Sequence, residues 1–349
     1  MLRRRAMLRA GAALMLPPAV PAIVRSARAQ AGAPRLRFGV VADPQYAPVP
    51  PHRTRYYAHS LWKVEAAIAT FDRHDLAFVV TLGDIIDRHW ESFGHILPLY
   101  ARSKHPNHFV LGNHDYEVAA DYLHAVERAV GRKPAHYAFT VPGFRFLVVD
   151  GNDVSLFANP PGSEAHAQAQ AKLAALEAAG AINAEPWNGG MGDAQKAWLA
   201  AQLAEAEAAG ERVLVFGHYP VYPVDRHNMW DDAAFVDMVT ASPAVVAYFN
   251  GHNHAGNYGA RAGTHFVNVK GMVETPDETF EVSAGGLFVA DPESPHRAHN
   301  PDDASEAVEI LALEERCVRG GNPDQIQEPR RGPAADDGEQ GDHQPLGGD

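Results

Sequence analysis

The residues of this chain that could do chemistry fall into five short motifs. All five contain side chains with oxygen or nitrogen donors, and all follow apolar runs typical of buried strands. The motifs are Asp43-Pro44-Gln45, Gly83-Asp84-Ile85-Ile86-Asp87, Gly112-Asn113-His114-Asp115, Gly217-His218 and Gly251-His252-Asn253-His254. The apolar runs span residues 38–41, 78–82, 213–216 and 245–249, with a shorter one at 108–111. Because loops beyond the carboxyl ends of strands converge in an open α/β sheet, the motifs predict one shared metal site.

The donor types narrow the choice of metal. Asp84 directly follows a strand and a glycine, and its two carboxylate oxygens can bridge two cations a few ångströms apart. The other candidate ligands offer one carboxylate, two amide oxygens and three imidazoles: Asp43, Gln45, Asn113, His218, His252 and His254. A mixture of oxygen and nitrogen without thiolate suits Mn, Fe or Zn rather than a soft metal.

The third motif continues beyond its metal donor. His114 follows Asn113 directly, so its ring can face the site without binding metal, and Asp115 can hold that ring in one orientation. An imidazolium there could stabilise a phosphoryl oxygen or protonate a leaving group. We therefore predict His114 and Asp115 as catalytic residues.

Each motif taken alone also has a structural explanation. A Gly-Asp pair after a strand is often a turn or a helix cap. Gly-His pairs are weak signals in a chain with 19 histidines. The third motif could be a tight turn, since Gly and Asn both tolerate positive φ. The occurrence of all five together, in order, favours a joint metal site.

The segments that must position these motifs alternate between apolar strands and longer helical stretches from residue 36 to about residue 291, the pattern of a layered α/β domain. Helices are predicted at 56–74, 119–130, 165–179, 193–209 and 231–240. Asp193 is predicted as an N-cap and Gly210 as the glycine that ends the same helix. The helix at 165–179 belongs to a predicted insertion of about 151–192. A β-hairpin is expected at 257–269, turning at Ala262-Gly263.

Charge and length limit the partners. The chain of 349 residues carries a net charge of −13, and its first 29 residues hold six arginines and no acid, which leaves −19 on the remainder. Such an acidic surface argues against nucleic-acid binding, which relies on basic patches. A small anionic substrate is expected instead, attracted by the positive charge of bound metals. The length alone allows one large α/β domain or two smaller ones.

The amino-terminal segment resembles a twin-arginine export signal. Arg3-Arg4-Arg5-Ala6-Met7-Leu8-Arg9 precedes apolar residues 10–16, and Ala27-Arg28-Ala29 has the small-x-small pattern of a cleavage site. A membrane anchor is the alternative, but Pro17-Pro18 interrupts the run short of the ~20 apolar residues needed to span a bilayer. We predict a periplasmic or secreted protein without a stable membrane anchor.

The remaining organisation is simple. Cys317 is the only cysteine, so no internal disulfide can form. From residue 320 onward Gly, Pro, Asp and Gln predominate without an apolar period, which predicts a disordered acidic tail. The expected organisation is an export signal at 1–29, one domain at 30–319 and the tail at 320–349.

The order of the five motifs resembles that of the calcineurin-like metallophosphoesterases. Their series reads Asp-x-(His or Gln), Gly-Asp-x-x-Asp, Gly-Asn-His-(Asp or Glu), Gly-His and Gly-His-x-His, and the match spans residues 38–291. The resemblance implies a four-layer α/β/β/α sandwich with a single catalytic domain and a dinuclear centre. It implies one metal bound by Asp43, Gln45, Asp84 and His254, and another bound by Asp84, Asn113, His218 and His252. It also implies His114 as the acid or oxyanion-stabilising residue, with Asp115 as its orienting partner.

Gln45 narrows the subgroup, because most members of that family have His at this position. A neutral amide oxygen is a poorer ligand for Zn and suits the harder Mn or Mg. Asp-x-Gln-Tyr resembles the manganese-dependent ADP-ribose/CDP-alcohol diphosphatases, and residues 187–192, 217–223 and 268–275 look similar to the same branch. The resemblance implies two divalent cations, Mn first and Fe or Zn as alternatives. It also implies attack of a metal-bridged hydroxide on a phosphodiester or pyrophosphate bond, in substrates of the ADP-ribose or CDP-alcohol type.

Two other functions remain open from the sequence. A general phosphodiesterase or phosphomonoesterase would use the same metals, and a non-catalytic metal-binding protein would be expected to lack Asn113 or His114, which this chain retains. Substrate choice would depend on the loops at 46–57, 89–95 and 152–188. Four aromatic residues there could stack on a base or pack in the core: Trp90, Phe93, Phe157 and Trp187.

Overall fold

An aromatic core between two β-sheets organises the protein in the computed structural model, which describes residues 36–274, 285–290 and 308–311. Phe38 and Phe78 of one sheet stack with their ring centroids 5.0 Å apart. Phe38 also meets Phe216 and Phe249 of the other sheet edge-on, at 5.7 and 5.8 Å. All four rings are essentially inaccessible to solvent. Burying each such side chain contributes roughly 1.5–3 kcal/mol, so this layer is a main source of stability.

The first sheet has five strands in the order β11-β10-β1-β2-β3. They are β1 Leu36–Val41, β2 Phe78–Leu82, β3 Asn107–Val110, β10 Gly285–Ala290 and β11 Val308–Leu311. β1, β2 and β3 are parallel to one another, whereas β10 is antiparallel to both β1 and β11. The parallel strands therefore end at one common edge, where the first three motifs begin.

The second sheet has six strands in the order β4-β5-β6-β7-β9-β8. They are β4 Tyr137–Val141, β5 Phe144–Val148, β6 Arg212–Phe216, β7 Val245–Asn250, β8 Asn257–Arg261 and β9 Thr264–Asn268. β5, β6, β7 and β9 are parallel, and antiparallel hairpins close both edges of the sheet. The last two motifs follow β6 and β7.

Helices cover the outer faces of the two sheets. On the first sheet they are α1 Ser60–Phe71, α2 Glu91–Tyr100 and α3 Val126–Ala129. Next in the chain, α4 Glu164–Ala178 packs instead on Trp230 in a separate small cluster. On the second sheet the covering helices are α5 Asp193–Ala209 and α6 Asp232–Ala241. Side chains of a strand alternate between faces, so Val80 points into the aromatic core while Val79 packs with α1 and α2. In the second sheet, Leu214 faces that core while Val213 packs with α5 and α6. This arrangement confirms the predicted four-layer α/β/β/α fold.

Several predicted elements differ in detail. The helix expected at 56–74 is a 3-10 turn, Tyr57–His59, followed by α1. Half of the helix expected at 119–130 is the 3-10 segment Ala120–Ala125, which leads into α3. The N-cap of α5 is Gly192 rather than Asp193, which is the first helical residue, because the Gly192 backbone is extended. Gly210 ends that helix in the left-handed conformation with φ of 68°, as predicted.

One helix was not predicted from the sequence, whereas one hairpin forms where it was expected. α2 was not predicted because Gly94 and Pro98 interrupt it, and it occupies much of the loop expected at 89–95. The hairpin of β8 and β9 turns at Ala262 and Gly263 as expected, with φ of 50° and 84°.

The predicted export signal, Cys317 and the predicted tail lie outside the described residues, so these remain predictions. Within the described ranges, none of the helices combines the length and the apolar character needed to cross a membrane.

Candidate metal centre

The loops that follow the strands turn back sharply at the residues predicted to bind metal. Asp43, Gln45, Asp84 and His252 have φ of 48°, 43°, 50° and 69°, in the left-handed region that residues with a Cβ rarely adopt. The backbone amide of Gln45 donates a hydrogen bond to the backbone carbonyl oxygen of Asp84 at 2.7 Å, which joins the first two loops. The tight turns bring side chains from separate strands to one place at the sheet edge.

Two glycines allow the carboxylates to approach the neighbouring backbone. A Cβ at Gly112 would collide with Asp84 Oδ1, and a Cβ at Gly251 would collide with the Asp43 carboxylate. The His252 amide donates to both Asp43 oxygens, at 3.0 and 3.2 Å. Glycine in the third and fifth motifs is therefore explained by packing against ligand side chains.

Two overlapping groups of donor atoms form at this edge, and both contain Asp84. One consists of Asp84, His218 and His252, and the other of Asp43, Asp84 and His254, with the donor atoms of each group within 4.8 Å of one another. A carboxylate common to both groups is what a bridging ligand requires.

The two predicted amide ligands adjoin these groups. Gln45 Nε2 donates to Asp84 Oδ2 at 2.9 Å, and its buried Oε1 has no hydrogen-bond partner among the described residues. Rotating the side-chain amide of Gln45 by half a turn would exchange Nε2 and Oε1 and direct Oε1 at the metal-binding atoms of the cluster. Asn113 Oδ1 lies 3.1 Å from His218 Nε2. An unsatisfied buried oxygen beside carboxylates and imidazoles fits divalent cations, so the residues present suit a two-metal centre.

The structure thus brings together all seven predicted metal ligands. We call Asp43, Gln45 and His254 the first half of the centre, and Asn113, His218 and His252 the second half. Asp84 lies between them.

Each of the three histidines directs one ring nitrogen at the cluster. His218 Nε2 is 3.4 Å from Asp84 Oδ2, and His252 Nδ1 is 3.1 Å from His218 Nε2. His254 Nε2 is 3.8 Å from Asp43 Oδ1. These atoms are the ones that would bind metal.

The opposite ring nitrogens have three different partners. His218 Nδ1 lies 2.8 Å from the carbonyl oxygen of Leu82, the last residue of β2. His252 Nε2 lies 3.0 Å from Asn188 Oδ1, and His254 Nδ1 lies 3.3 Å from Glu274 Oε1. Such contacts fix the tautomer and orientation of a metal-binding histidine.

Burial and mutual charge set the protonation of the cluster. Burial raises the pKa of Asp43. Burial opposes ionisation of Asp84 as well, but the neighbouring His218 and His114 outweigh it and hold the pKa of Asp84 below its ordinary value. Burial also disfavours the charged form of His218, yet Asp84 raises the pKa of His218 to about 9. Burial and the charge of His218 hold the pKa of His252 well below its ordinary value. Metal binding is therefore expected to displace a proton from His218.

His114 lies beside the cluster, with about one fifth of its side chain exposed. Its backbone amide donates to Asp84 Oδ1 at 2.9 Å, and its Nδ1 lies 3.5 Å from Asp87 Oδ1. The other oxygen of Asp87 accepts a hydrogen bond from Arg88 Nε at 2.5 Å. Asp87, the second acid of its motif, is thus the carboxylate next to the His114 ring.

The prediction that Asp115 orients His114 is wrong in this structure. The two oxygens of Asp115 accept hydrogen bonds from the backbone amides of Ile86, at 3.1 Å, and Gly112, at 2.9 Å. Burial and the nearby Asp84 raise the pKa of Asp115 to about 8. Asp115 is a structural residue that joins the second and third motif loops.

The four aromatic residues near the predicted substrate loops divide between core and surface. Phe93 is buried in the core, Phe157 packs beside the same core, and Trp90 stacks on Tyr122 with ring centroids 5.1 Å apart. Trp187 is half-buried, and the Arg226 guanidinium lies 5.1 Å from its ring centroid. Trp90, Phe157 and Trp187 are all partly buried, and Trp187 directly precedes Asn188, whose Oδ1 contacts His252.

Sequence reasoning missed three residues that contact the site: Asp87, Asn188 and Glu274. Asp87 stood in its motif with no role assigned. Asn188 and Glu274 lie in stretches noted for their similarity to one branch of proteins, and neither stretch contains a metal-binding pattern.

Comparison with known proteins agrees with this geometry. Residues 36–256 match the family described as calcineurin-like phosphoesterase. The chain is similar to the crystal structure of a dimetal phosphatase from Danio rerio, with 25% sequence identity and a TM-score of 0.64, over 72% of this chain and 92% of that one.

Two relatives from different organisms have the same name. The chain is 29% identical over 301 residues to the manganese-dependent ADP-ribose/CDP-alcohol diphosphatase of Mus musculus, covering 73% of this chain and 88% of the relative. It is 28% identical over 280 residues to the protein of the same name from Arabidopsis thaliana, covering 71% and 89%.

Proposed function

The chain belongs to the calcineurin-like phosphoesterase family, and from that premise we propose that it uses two divalent metals to hydrolyse nucleoside-diphosphate-linked substrates at the pyrophosphate bond. Family membership makes it a hydrolase. The single observation that carries the proposal is the pair of donor groups that share Asp84. The substrate class, of the ADP-ribose or CDP-alcohol type, is supported by the similarity to relatives of that name.

Manganese is the proposed metal. Gln45 and Asn113 provide amide oxygens beside two carboxylates, a donor set suited to a hard divalent cation. The manganese-dependent relatives support the same choice. Two cations held by these residues would supply Lewis-acid chemistry, which would lower the pKa of a water molecule and neutralise charge on phosphoryl oxygens.

The chain's own residues have separate tasks in this reaction. Asp84 holds the two halves together, and its Oδ1 also fixes the backbone of His114. Asp87 can accept a hydrogen bond from His114 Nδ1, which leaves Nε2 as the atom able to contact substrate. From there His114 can donate a proton to the leaving oxygen or a hydrogen bond to the phosphoryl group.

The proposed location is the periplasm or the cell exterior. The support is the twin-arginine pattern and the apolar stretch of residues 1–29.

A substrate screen tests the proposal. Metal-stripped protein reconstituted with Mn²⁺ would be assayed on ADP-ribose, CDP-glycerol, an aryl phosphodiester and an aryl phosphomonoester. We expect kcat/KM to be about tenfold or more higher for the two nucleotide diphosphates, with AMP and CMP as products. Asp84→Asn prepared in parallel controls for contaminating hydrolases.

Equal or higher efficiency on the aryl esters would instead support a general phosphodiesterase or phosphomonoesterase. No turnover of any substrate, with both metals bound, would favour a non-catalytic metal-binding protein.

A further inference from the structure

We propose that Glu274 is a positioning residue for the first half of the centre. Its carboxylate orients the His254 ring and strengthens it as a metal ligand, and this offsets the weak neutral donor Gln45. The inference rests on the proposed metal assignment and does not depend on which substrate is hydrolysed.

The contact itself has the geometry of a carboxylate–histidine pair. His254 directs Nε2 at the cluster and Nδ1 at Glu274 Oε1, 3.3 Å away. The His254 side chain is 7% exposed and that of Glu274 37%, so the pair spans the boundary between the buried cluster and solvent. A carboxylate on the far nitrogen selects the tautomer with Nε2 unprotonated and raises the basicity of that atom.

The other two histidines differ in the charge of this partner. His218 has a backbone carbonyl oxygen, that of Leu82, and His252 has the amide oxygen of Asn188. Both of these acceptors are neutral. Of the three partners, Glu274 is therefore the only anion, and it contacts the single histidine of the first half, which also contains Gln45.

The backbone around Glu274 is anchored to the metal-binding loop. In the 3-10 turn Met272–Glu274, the Val273 amide donates to the Asp43 carbonyl oxygen at 3.0 Å and the Met272 amide to that of Ala42 at 2.9 Å. Lys63, fully buried, donates to the carbonyl oxygens of Met272 and Val273 at 2.9 and 3.2 Å. The segment that carries Glu274 is thus held by the same loop that carries Asp43 and Gln45.

Thr54 adds a contact at the exposed side. Its Oγ1 donates to Glu274 Oε1 at 3.2 Å, on the same oxygen that faces His254. With the backbone anchored and one carboxylate oxygen held by two neighbours, Glu274 is placed before any metal binds.

The test uses Glu274→Gln, which keeps the shape of the side chain and removes its charge. Mn²⁺ binding would be measured by calorimetry, and electron paramagnetic resonance would separate single from paired Mn²⁺ ions. We expect the affinity of one of two sites to fall about 10–100-fold, as is usual when such a partner is lost. At intermediate Mn²⁺ the variant should show the signal of isolated ions where the wild type shows paired ones.

Three controls separate orientation from general damage. Glu177→Gln removes a charge from an exposed position of α4 and should change neither affinity. The melting temperature of metal-free Glu274→Gln should equal that of the wild type. Glu274→Asp, which keeps the charge, should recover part of the lost affinity.

The offset is tested by combining two changes. In a Gln45→His background the first half has a second imidazole, so Glu274→Gln should weaken binding less than it does in the wild type. If the effects of the two substitutions on Mn²⁺ affinity are additive, Glu274 does not offset the weak donor Gln45. Unchanged Mn²⁺ affinities, equal weakening of both sites, or equal losses for the Gln and Asp variants would overturn the role of Glu274.

These readouts are independent of hydrolysis. A protein that binds Mn²⁺ as described but turns over no nucleotide diphosphate would contradict the proposed function and leave the role of Glu274 intact.

Discussion

The two halves of the centre differ in the side chains that they offer to a metal. In the second half, Asn113 and His252 both lie 3.1 Å from His218 Nε2, so its donors already contact one another. In the first half, the side-chain amide of Gln45 lies 3.3 Å from His254 Nε2 and 2.9 Å from Asp84 Oδ2. The second half has two imidazoles and no carboxylate of its own. The first half has one imidazole, the carboxylate of Asp43, and Glu274 behind it.

The difference indicates unequal metal sites. Imidazole nitrogens bind Fe and Zn well, so the second half, with two of them, should bind these metals more tightly than the first half, with one, whose oxygen donors suit Mn better. We therefore expect the second half to fill first and the first half to determine how much added metal is needed for activity.

The largest effect is expected from the one ligand that both halves share. Asp84→Asn should remove bound metal from both halves and lower turnover on the order of 10⁴-fold or more, the scale seen when an essential catalytic group is lost. Elemental analysis together with activity would measure this. Asp193→Asn, at a fully exposed position of α5, is the matched control. Two metals per chain at wild-type activity in Asp84→Asn would rule out a bridging role.

A smaller effect is expected at a residue that belongs to neither half. His114→Ala should keep both metals and lose about 10²–10⁴ in turnover, the usual contribution of a positioned acid. The loss should shrink for substrates with good leaving groups if protonation is the main role. Steady-state kinetics and metal analysis of the same preparation would test both statements.

A second substitution, at Asp87 beside the His114 ring, tests the same role. Asp87→Asn should reduce turnover less than His114→Ala does, because the ring remains. Metal loss in His114→Ala would make His114 a ligand and would contradict the division into two halves around Asp84.

The smallest effect is expected from making the halves alike. Gln45→His should raise the metal affinity of the first half by about tenfold and shift its preference towards Zn²⁺ and Fe²⁺. Activity of the metal-stripped wild type and variant would be followed across titrations of Mn²⁺, Zn²⁺ and Fe²⁺. Identical metal rankings and identical half-saturating concentrations in the two proteins would show that Gln45 does not bind metal.

The convergence of the ligands could be predicted because each one follows a strand. β1, β2 and β3 are parallel, as are β6 and β7, so residues at their carboxyl ends must meet at a sheet edge. The alternation of apolar strands with helices was enough for the layered fold.

The contacts around the ligands were less predictable. Asn188 lies in the irregular segment before α5 and Glu274 in a 3-10 turn, and no periodicity connects either one to a histidine distant in sequence. Asp115 was chosen because it adjoins His114 in sequence. In the 3-10 turn His114–Tyr116 its carboxylate instead turns back to the Gly112 amide, and Asp87 occupies the place beside the ring.

The left-handed backbone of the ligand residues has a consequence for the evolution and engineering of this protein. A non-glycine residue held in that region destabilises the fold by about 1–3 kcal/mol, and glycine adopts it freely. Asp43, Gln45, Asp84 and His252 are all in this position. A library selected for heat resistance alone would therefore be drawn towards glycine at these positions while the aromatic core stayed intact. Such a selection would yield thermostable, well-folded proteins without catalytic activity, so activity has to be screened together with heat resistance.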